Sequence, residues 1–199
     1  PDHNLVLDAI REAKRLGLIS GYGANAPILI NFDVHSDMYC SDHENEKIAD
    51  YVNTLIIDGD VSEVYWVLPD WTREREATGV FWNQSSYVNK DGLPFRGNDS
   101  REYLAYVDKV ERKVYFVAAG APPPPEYERN PERFRIVKVH KVFASELPDF
   151  KDDKRQIIAN IDFDFISNTG HDTLGGAFST QNNPSEGQLN DSLASFQHN

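Results

Sequence analysis

Apolar positions along the chain fall into two kinds of period. Leu5, Ala9, Ile10, Ala13 and Leu16 recur near every 3.6 residues, which predicts an amphipathic helix over Asn4 to Leu16 stopped by Gly17. Glu46 to Ile57 reads as a second helix, with Ile48, Tyr51, Val52, Leu55 and Ile56 inward. Between them, Ile28 to Phe32 is short and almost continuously apolar, the pattern of a strand covered on both faces of a parallel sheet. Glu63 to Leu68 is a second strand of that kind, closed by Pro69. Ile136 to Val142 alternates as a strand does, and Ile157 to Ile161 is a further apolar strand. Strand, helix, strand in this order predicts an α/β domain with a mainly parallel sheet flanked by helices.

The middle of the chain breaks the pattern. Gly79 to Asn98 is rich in Asn, Gly, Ser and aromatics without a period. Tyr103 to Val107 and Lys113 to Val117 flank Lys109 to Arg112 as a β-hairpin would. Pro122 to Pro125 is expected to be extended and stiff. The stretch from about 72 to 130 thus reads as an insertion; within it, Val80 to Tyr106 reads as a surface excursion with its own small core, or else as a peptide-binding wall whose neighbouring hairpin offers an edge to an extended peptide. The tail after Gly170 carries no clear element.

Composition narrows the classes. The 199 residues suit one domain spanning 1–199, and 40% hydrophobic content is that of a globular chain. No apolar run approaches the roughly 18 residues of a membrane span. No signal peptide is visible and the sequence opens at Pro1 without Met, so a cytoplasmic protein whose natural start lies upstream is expected. The lone Cys40 excludes an internal disulfide framework and a Cys-rich zinc site. A net charge of −12 argues against non-specific nucleic-acid binding and permits cationic partners.

Chemistry gathers where two apolar strands end. The first runs on as Phe32-Asp33-Val34-His35-Ser36-Asp37, the second as Ile161-Asp162-Phe163-Asp164-Phe165. Alternation in extended chain puts Asp33, His35 and Asp37 on one side, and Asp162 and Asp164 likewise. In open α/β sheets, ligands bind beyond the carboxyl ends of the strands. Acids placed there are costly unless paired, hydrogen-bonded or bound to metal. Four carboxylates and an imidazole suit a pair of Mn²⁺ or related ions sharing carboxylates, which would lower the pKa of a trapped water. An acidic pair after a strand also serves as a helix cap or turn, and Asp2-His3-Asn4 reads as a helix N-cap. Beside the other clusters, His3 becomes a sixth candidate ligand.

These three segments, in this order, resemble the arginase-like metallohydrolases. The likeness is nearest to the branch that includes the peptide arginases of ribosomal-peptide biosynthesis. It is carried by Asp2-His3-Asn4, by Phe32-Asp33-Val34-His35-Ser36-Asp37, by Tyr65 to Trp71 with its Pro-Asp-Trp ending, and by Ile161 to Phe165. It spans residues 1 to about 167. The resemblance implies a three-layer α/β/α fold and two Mn²⁺ ions. One would be held by His3, Asp33, Asp37 and Asp162, the other by His35, Asp33, Asp162 and Asp164, with Asp33 and Asp162 bridging. The implied reaction hydrolyses the guanidinium of an arginine in a precursor peptide, giving ornithine and urea by hydroxide attack. Asp37 would also accept a hydrogen bond from the hydroxide.

The departures are specific. The resemblance calls for a proton-shuttling His soon after the first motif, and His43 stands close to Asp37 for that role; a solvent-facing helix entry is its other reading. His171 is the rival acid. Glu186 is the only glutamate after Asp164 and is the candidate for gripping the guanidinium. The chain is also short for a complete domain of this kind. Three alternatives stay open: a ureohydrolase for a small free guanidine compound, a zinc-dependent deacylase of related fold, and a non-catalytic binding protein whose metals serve stability only. His140, Cys40, Trp66, Trp71 and Trp82 read as structural. Neither the substrate peptide nor the oligomeric state is legible.

Overall fold

A computed structural model describes residues 4–33, 37–38, 51–73, 101–162 and 165. Helix α1 (Asn4–Arg15) leads through a short 3-10 turn into strand β1 (Ile28–Phe32). Helix α2 (Tyr51–Asp58) and strand β2 (Glu63–Leu68) follow. The hairpin strands are β3 (Glu102–Asp108) and β4 (Lys113–Ala118). Short helix α3 (Pro125–Arg129), the long β5 (Phe134–Phe143) and β6 (Ile157–Ile161) complete the described elements.

All six strands belong to one sheet, in the order β4-β3-β5-β2-β1-β6. β1 pairs in parallel with β2 and with β6, and β2 pairs in parallel with β5. β3 lies antiparallel to both β5 and β4. The fold is therefore α/β with a mixed, mostly parallel sheet. Helices α1 and α2 cover one face: Leu7, Ile10, Tyr51, Val52, Leu55 and Ile56 pack on Leu29, Val64, Val137 and Val139. The other face carries a smaller core of Ile28, Ile30, Phe32, Val67, Ala144, Leu147 and Phe165. On that second face Ala144, Leu147 and Phe150, from the chain between β5 and β6, pack beside β1 and β2, and Tyr127 of α3 packs on Tyr106 and Phe134.

Charge and backbone geometry fix the joints. α1 ends at Gly17, whose φ of +72° suits a residue without Cβ, and Lys14 reaches Asp60 at 2.6 Å to tie α1 to the loop after α2. Arg135, from β5, donates to the carbonyls of Ile56 and Ile57, so a cation closes the carboxyl end of α2. Gly59 turns the chain there with φ +80°. In the hairpin, Asp108 accepts from the N–H groups of Val110 and Glu111 and pairs with Arg133 at 2.6 Å. Burial alone would raise the carboxyl pKa of Asp108, but Arg133 and the two N–H donors outweigh it and hold it below the ordinary value.

Two expectations change. The hairpin is not an insertion set apart from the α/β pattern. It extends the main sheet, and Tyr103, Ala105, Val107, Val114 and Phe116 belong to the main core, because β3 can pair with the free edge of β5. The proline run is not extended throughout: Pro124 has extended angles, but Pro125 opens α3, where its missing N–H is no loss. β6 is apolar in sequence but partly open: among the described residues it stands at the edge of the sheet, with Ile157 and Ile161 each 44% exposed. The Glu46 to Asp50 part of the second predicted helix lies outside the described residues, as does Gly79 to Asn98. Among the described residues, no helix is long and apolar enough to cross a membrane.

Gly59 and Gly17 give a paired test of this reading. A Cβ at Gly59 would sit 2.7 Å from Nη1 of Arg135, whereas one at Gly17 meets nothing within 4 Å. Gly59→Ala is expected to cost about 2–3 kcal/mol, from backbone strain plus displacement of Arg135, and Gly17→Ala about 1 kcal/mol. Urea unfolding measures both, and equal midpoints would contradict the assigned role of Arg135.

Candidate metal centre

Register decides which acids meet. Phe32 at the end of β1 pairs with Ile161 at the end of β6. The ladder runs one step further on both sides of β1: Asp162 donates its N–H to the Phe32 carbonyl at 2.9 Å, and Asp33 donates to Val67 at 3.1 Å. Asp33 and Asp162 thus follow paired residues of neighbouring parallel strands, whose axes lie about 4.8 Å apart. Both continue the alternation of the α2-facing side, through Leu29 and Asn31 on β1 and Ile158 and Asn160 on β6. Asp33 is fully buried and Asp162 half-buried. Like charges placed side by side repel, and burial raises the cost.

Asp37 arrives by a different route from the alternation expected of it. Its φ is +49°, a left-handed conformation that Asp tolerates better than most residues, so the strand geometry does not persist to it. Its carbonyl accepts the N–H of Val52 at 3.1 Å, which docks it on the first turn of α2, and it is 5% exposed.

A hydrogen-bonded cluster of neutral groups lies next to the acids. The Tyr51 hydroxyl donates to Oδ1 of Asn31 at 2.6 Å. Nδ2 of Asn160 donates to the same Oδ1 and to the Tyr51 oxygen, each at 2.8 Å. Nδ2 of Asn31, also buried, meets no acceptor among the described residues. The Trp66 indole donates to the Asp33 carbonyl at 2.9 Å, and Lys141 stands with its Nζ 5.9 Å from the Trp66 ring centre. Burial pushes the Tyr51 phenol far above its ordinary pKa, and the charges of Asp37, Asp33 and Asp162 push it further. The backbone bonds of Asp33, Asp162 and Asp37 put all three residues at the carboxyl end of the sheet, near the first turn of α2.

Of the residues singled out from the sequence, Asp33, Asp37 and Asp162 fall within this description. His3, His35, Asp164, His43, His171 and Glu186 lie outside the described residues, as does Cys40. Among the described residues, no three His, Cys, Asp or Glu side chains stand close enough to hold a metal ion. Tyr51, Asn31 and Asn160 were missed as site residues. Their signal was available: both strands carry Asn two residues before the Asp, as Asn31-Phe32-Asp33 and Asn160-Ile161-Asp162. No protein-family model matches the chain, and no curated protein matches it.

His140, read as structural, is so on the opposite face. Its ring stacks on Tyr65 with centres 4.4 Å apart and lies between Glu63 at 2.6 Å and Glu102 at 3.4 Å. Arg155 joins Glu63 to Asp153, at 2.8 and 2.6 Å. The His140 hydrogen bond first, and Arg155 after it, lower the Glu63 pKa from 4.5 to about 2 against the opposing effect of burial. The folded state then binds fewer protons than the unfolded chain. The stabilisation is complete above about pH 4.5 and lost as the pH falls towards 2. Glu63→Gln is expected to cost about 2 kcal/mol at pH 7, with the gap from wild type closing between about pH 5 and 2. Thermal melts across that range measure it; a gap that does not vary with pH would contradict the ion-pair account.

Proposed function

We propose that the chain is a binuclear Mn²⁺-dependent hydrolase that converts arginine side chains in a peptide to ornithine with release of urea. The observation that carries this reading is the lateral placement of Asp33 and Asp162 at the ends of β1 and β6. Carboxylates gathered at the ends of adjacent strands, one of them fully buried, favour a cation among them, and oxygen donors of this kind suit Mn²⁺. The donor chemistry fits the metal pair that the arginase-like pattern implies. Asp33 and Asp162 would bridge, Asp37 and His3 would complete one ion, and His35 and Asp164 the other. The three-layer α/β/α architecture belongs to the same proposal, with α1 and α2 as one outer layer.

Bound ions of this type lower the pKa of coordinated water and so supply a nucleophile at neutral pH. The remaining work falls to side chains. A guanidinium is charged, delocalised and a poor electrophile, so it must be oriented by anionic acceptors, the role assigned to Glu186. Asp37 holds the nucleophile's proton by accepting a hydrogen bond. The departing amine needs a proton from an acid, for which His43 and His171 are the candidates. The net charge of −12 favours the approach of a cationic peptide substrate over an anionic one.

Incubation with Mn²⁺ and arginine-containing precursor peptides is expected to release urea, with a loss of about 42 Da per converted residue, through the hydrolysis that metal-activated water supports. Free arginine and agmatine, run in parallel, separate the peptide enzyme from a small-guanidine ureohydrolase. Metal analysis after loading is expected to give two Mn²⁺ per chain, and Asp162→Asn to lower the rate by about a thousandfold or more. One zinc per chain with amide hydrolysis and no urea would replace this reading by the deacylase.

A further inference from the structure

We infer that Tyr51 is a positioning residue of the carboxylate site, locking the ends of β1 and β6 in the register that sets Asp33 beside Asp162. This rests on the metal-site reading above and goes beyond the ligand set. Tyr51 comes from α2, Asn31 from β1 and Asn160 from β6, so three elements meet at one fully buried hydroxyl. The two asparagines pair with each other across the strands, in register with the Phe32–Ile161 step above them.

Three features make this more than core packing. Each asparagine lies two residues before an acid, on the same side of its strand, so any shear between β1 and β6 at this layer moves the two carboxylates relative to each other. An apolar row would resist such shear only through shape, whereas three hydrogen bonds of 2.6 to 2.8 Å specify one arrangement. All three members are uncharged, which matters where Asp33 and Asp162 follow two residues further along the same strands. A charged residue in this place would compete for the cation or add to the repulsion. A neutral donor–acceptor set orients the strand ends without altering the charge presented to the metal. Finally, α2 carries both halves of the clamp: Tyr51 holds β1 and β6, and the next residue, Val52, holds the Asp37 carbonyl. One helical turn thereby locates all three described acids.

The test uses the full chain and Mn²⁺ itself. Tyr51→Phe deletes one oxygen and with it two of the three bonds. Asn160→Leu keeps the approximate size of its side chain but removes the donor without adding charge, and carries the test should Tyr51→Phe fail to fold. Val137→Ala, a core change on the same face away from the acids, is the control for general loosening. Calorimetric titration reads Mn²⁺ affinity, and low-temperature electron paramagnetic resonance reads the spin coupling between paired ions. Folding is checked by circular dichroism.

Tyr51→Phe and Asn160→Leu are expected to weaken Mn²⁺ binding at least about tenfold and to diminish the coupled signal, as loss of ligand-orienting partners does. Val137→Ala is expected to bind as wild type does. Folded Tyr51→Phe protein that binds Mn²⁺ within about twofold of wild type, with the coupled signal intact, overturns the positioning role and leaves the metal site standing. Equal weakening in Val137→Ala overturns it too, by reducing Tyr51 to core packing. Wild-type protein that binds no Mn²⁺ removes the metal-site reading and the inference with it.

Discussion

The parallel register of β1 between β2 and β6 is the constraint on which the rest depends. Parallel pairing carries each strand end to the same side of the sheet. One shared register then decides which residues stand next to one another there. Because Phe32 faces Ile161 and Val67, the residues that follow are Asp33 and Asp162, each anchored by a backbone N–H to the strand beside it. A slip of one residue would carry the acids to the opposite face. The burial of Ile28 to Phe32 on both faces makes such a slip prohibitive, since every residue of β1 is committed to the interior.

The sheet thus separates stability from chemistry. The face under α1 and α2 holds the larger core and, at its carboxyl end, a polar row of Asn160, Asn31, Trp66 and Lys141 in register across four strands. The opposite face carries the smaller core and the His140–Glu63–Arg155 cluster, in which acid and base neutralise one another. Both clusters bury charge or polarity. Only the first gathers carboxylates at the ends of adjacent parallel strands, where an open α/β sheet presents its ligands.

Much of the fold was legible because β1, β2, β5 and the hairpin have periodic patterns with marked ends. Helix α1 was placed within a residue of its observed end for the same reason. What periodicity could not give was partnership. The hairpin strands looked like an insertion because pairing with β5 is a non-local fact, set by which edge is free. β6 read simply as an apolar strand, yet Ile157 and Ile161 are exposed, because an apolar run does not record how much of a strand its neighbours cover. At the site, Asp33 and Asp162 were found from their place after apolar strands. Tyr51 was read only as a core residue, since a helical period cannot distinguish a phenol that fills space from one that holds two asparagines. Asn31 and Asn160 were the readable clue, as polar residues inside apolar strands demand a partner.

The Asn31–Asn160 contact joins positions 129 residues apart in the chain. In the unfolded chain these groups meet only at the entropic cost of closing that long loop, and their neighbouring acids meet no more often. A ligand that needs both Asp33 and Asp162 therefore finds its site in the folded state alone. By mass action, such a ligand draws the population towards the native form, so that occupancy of the site and survival of the fold become one equilibrium.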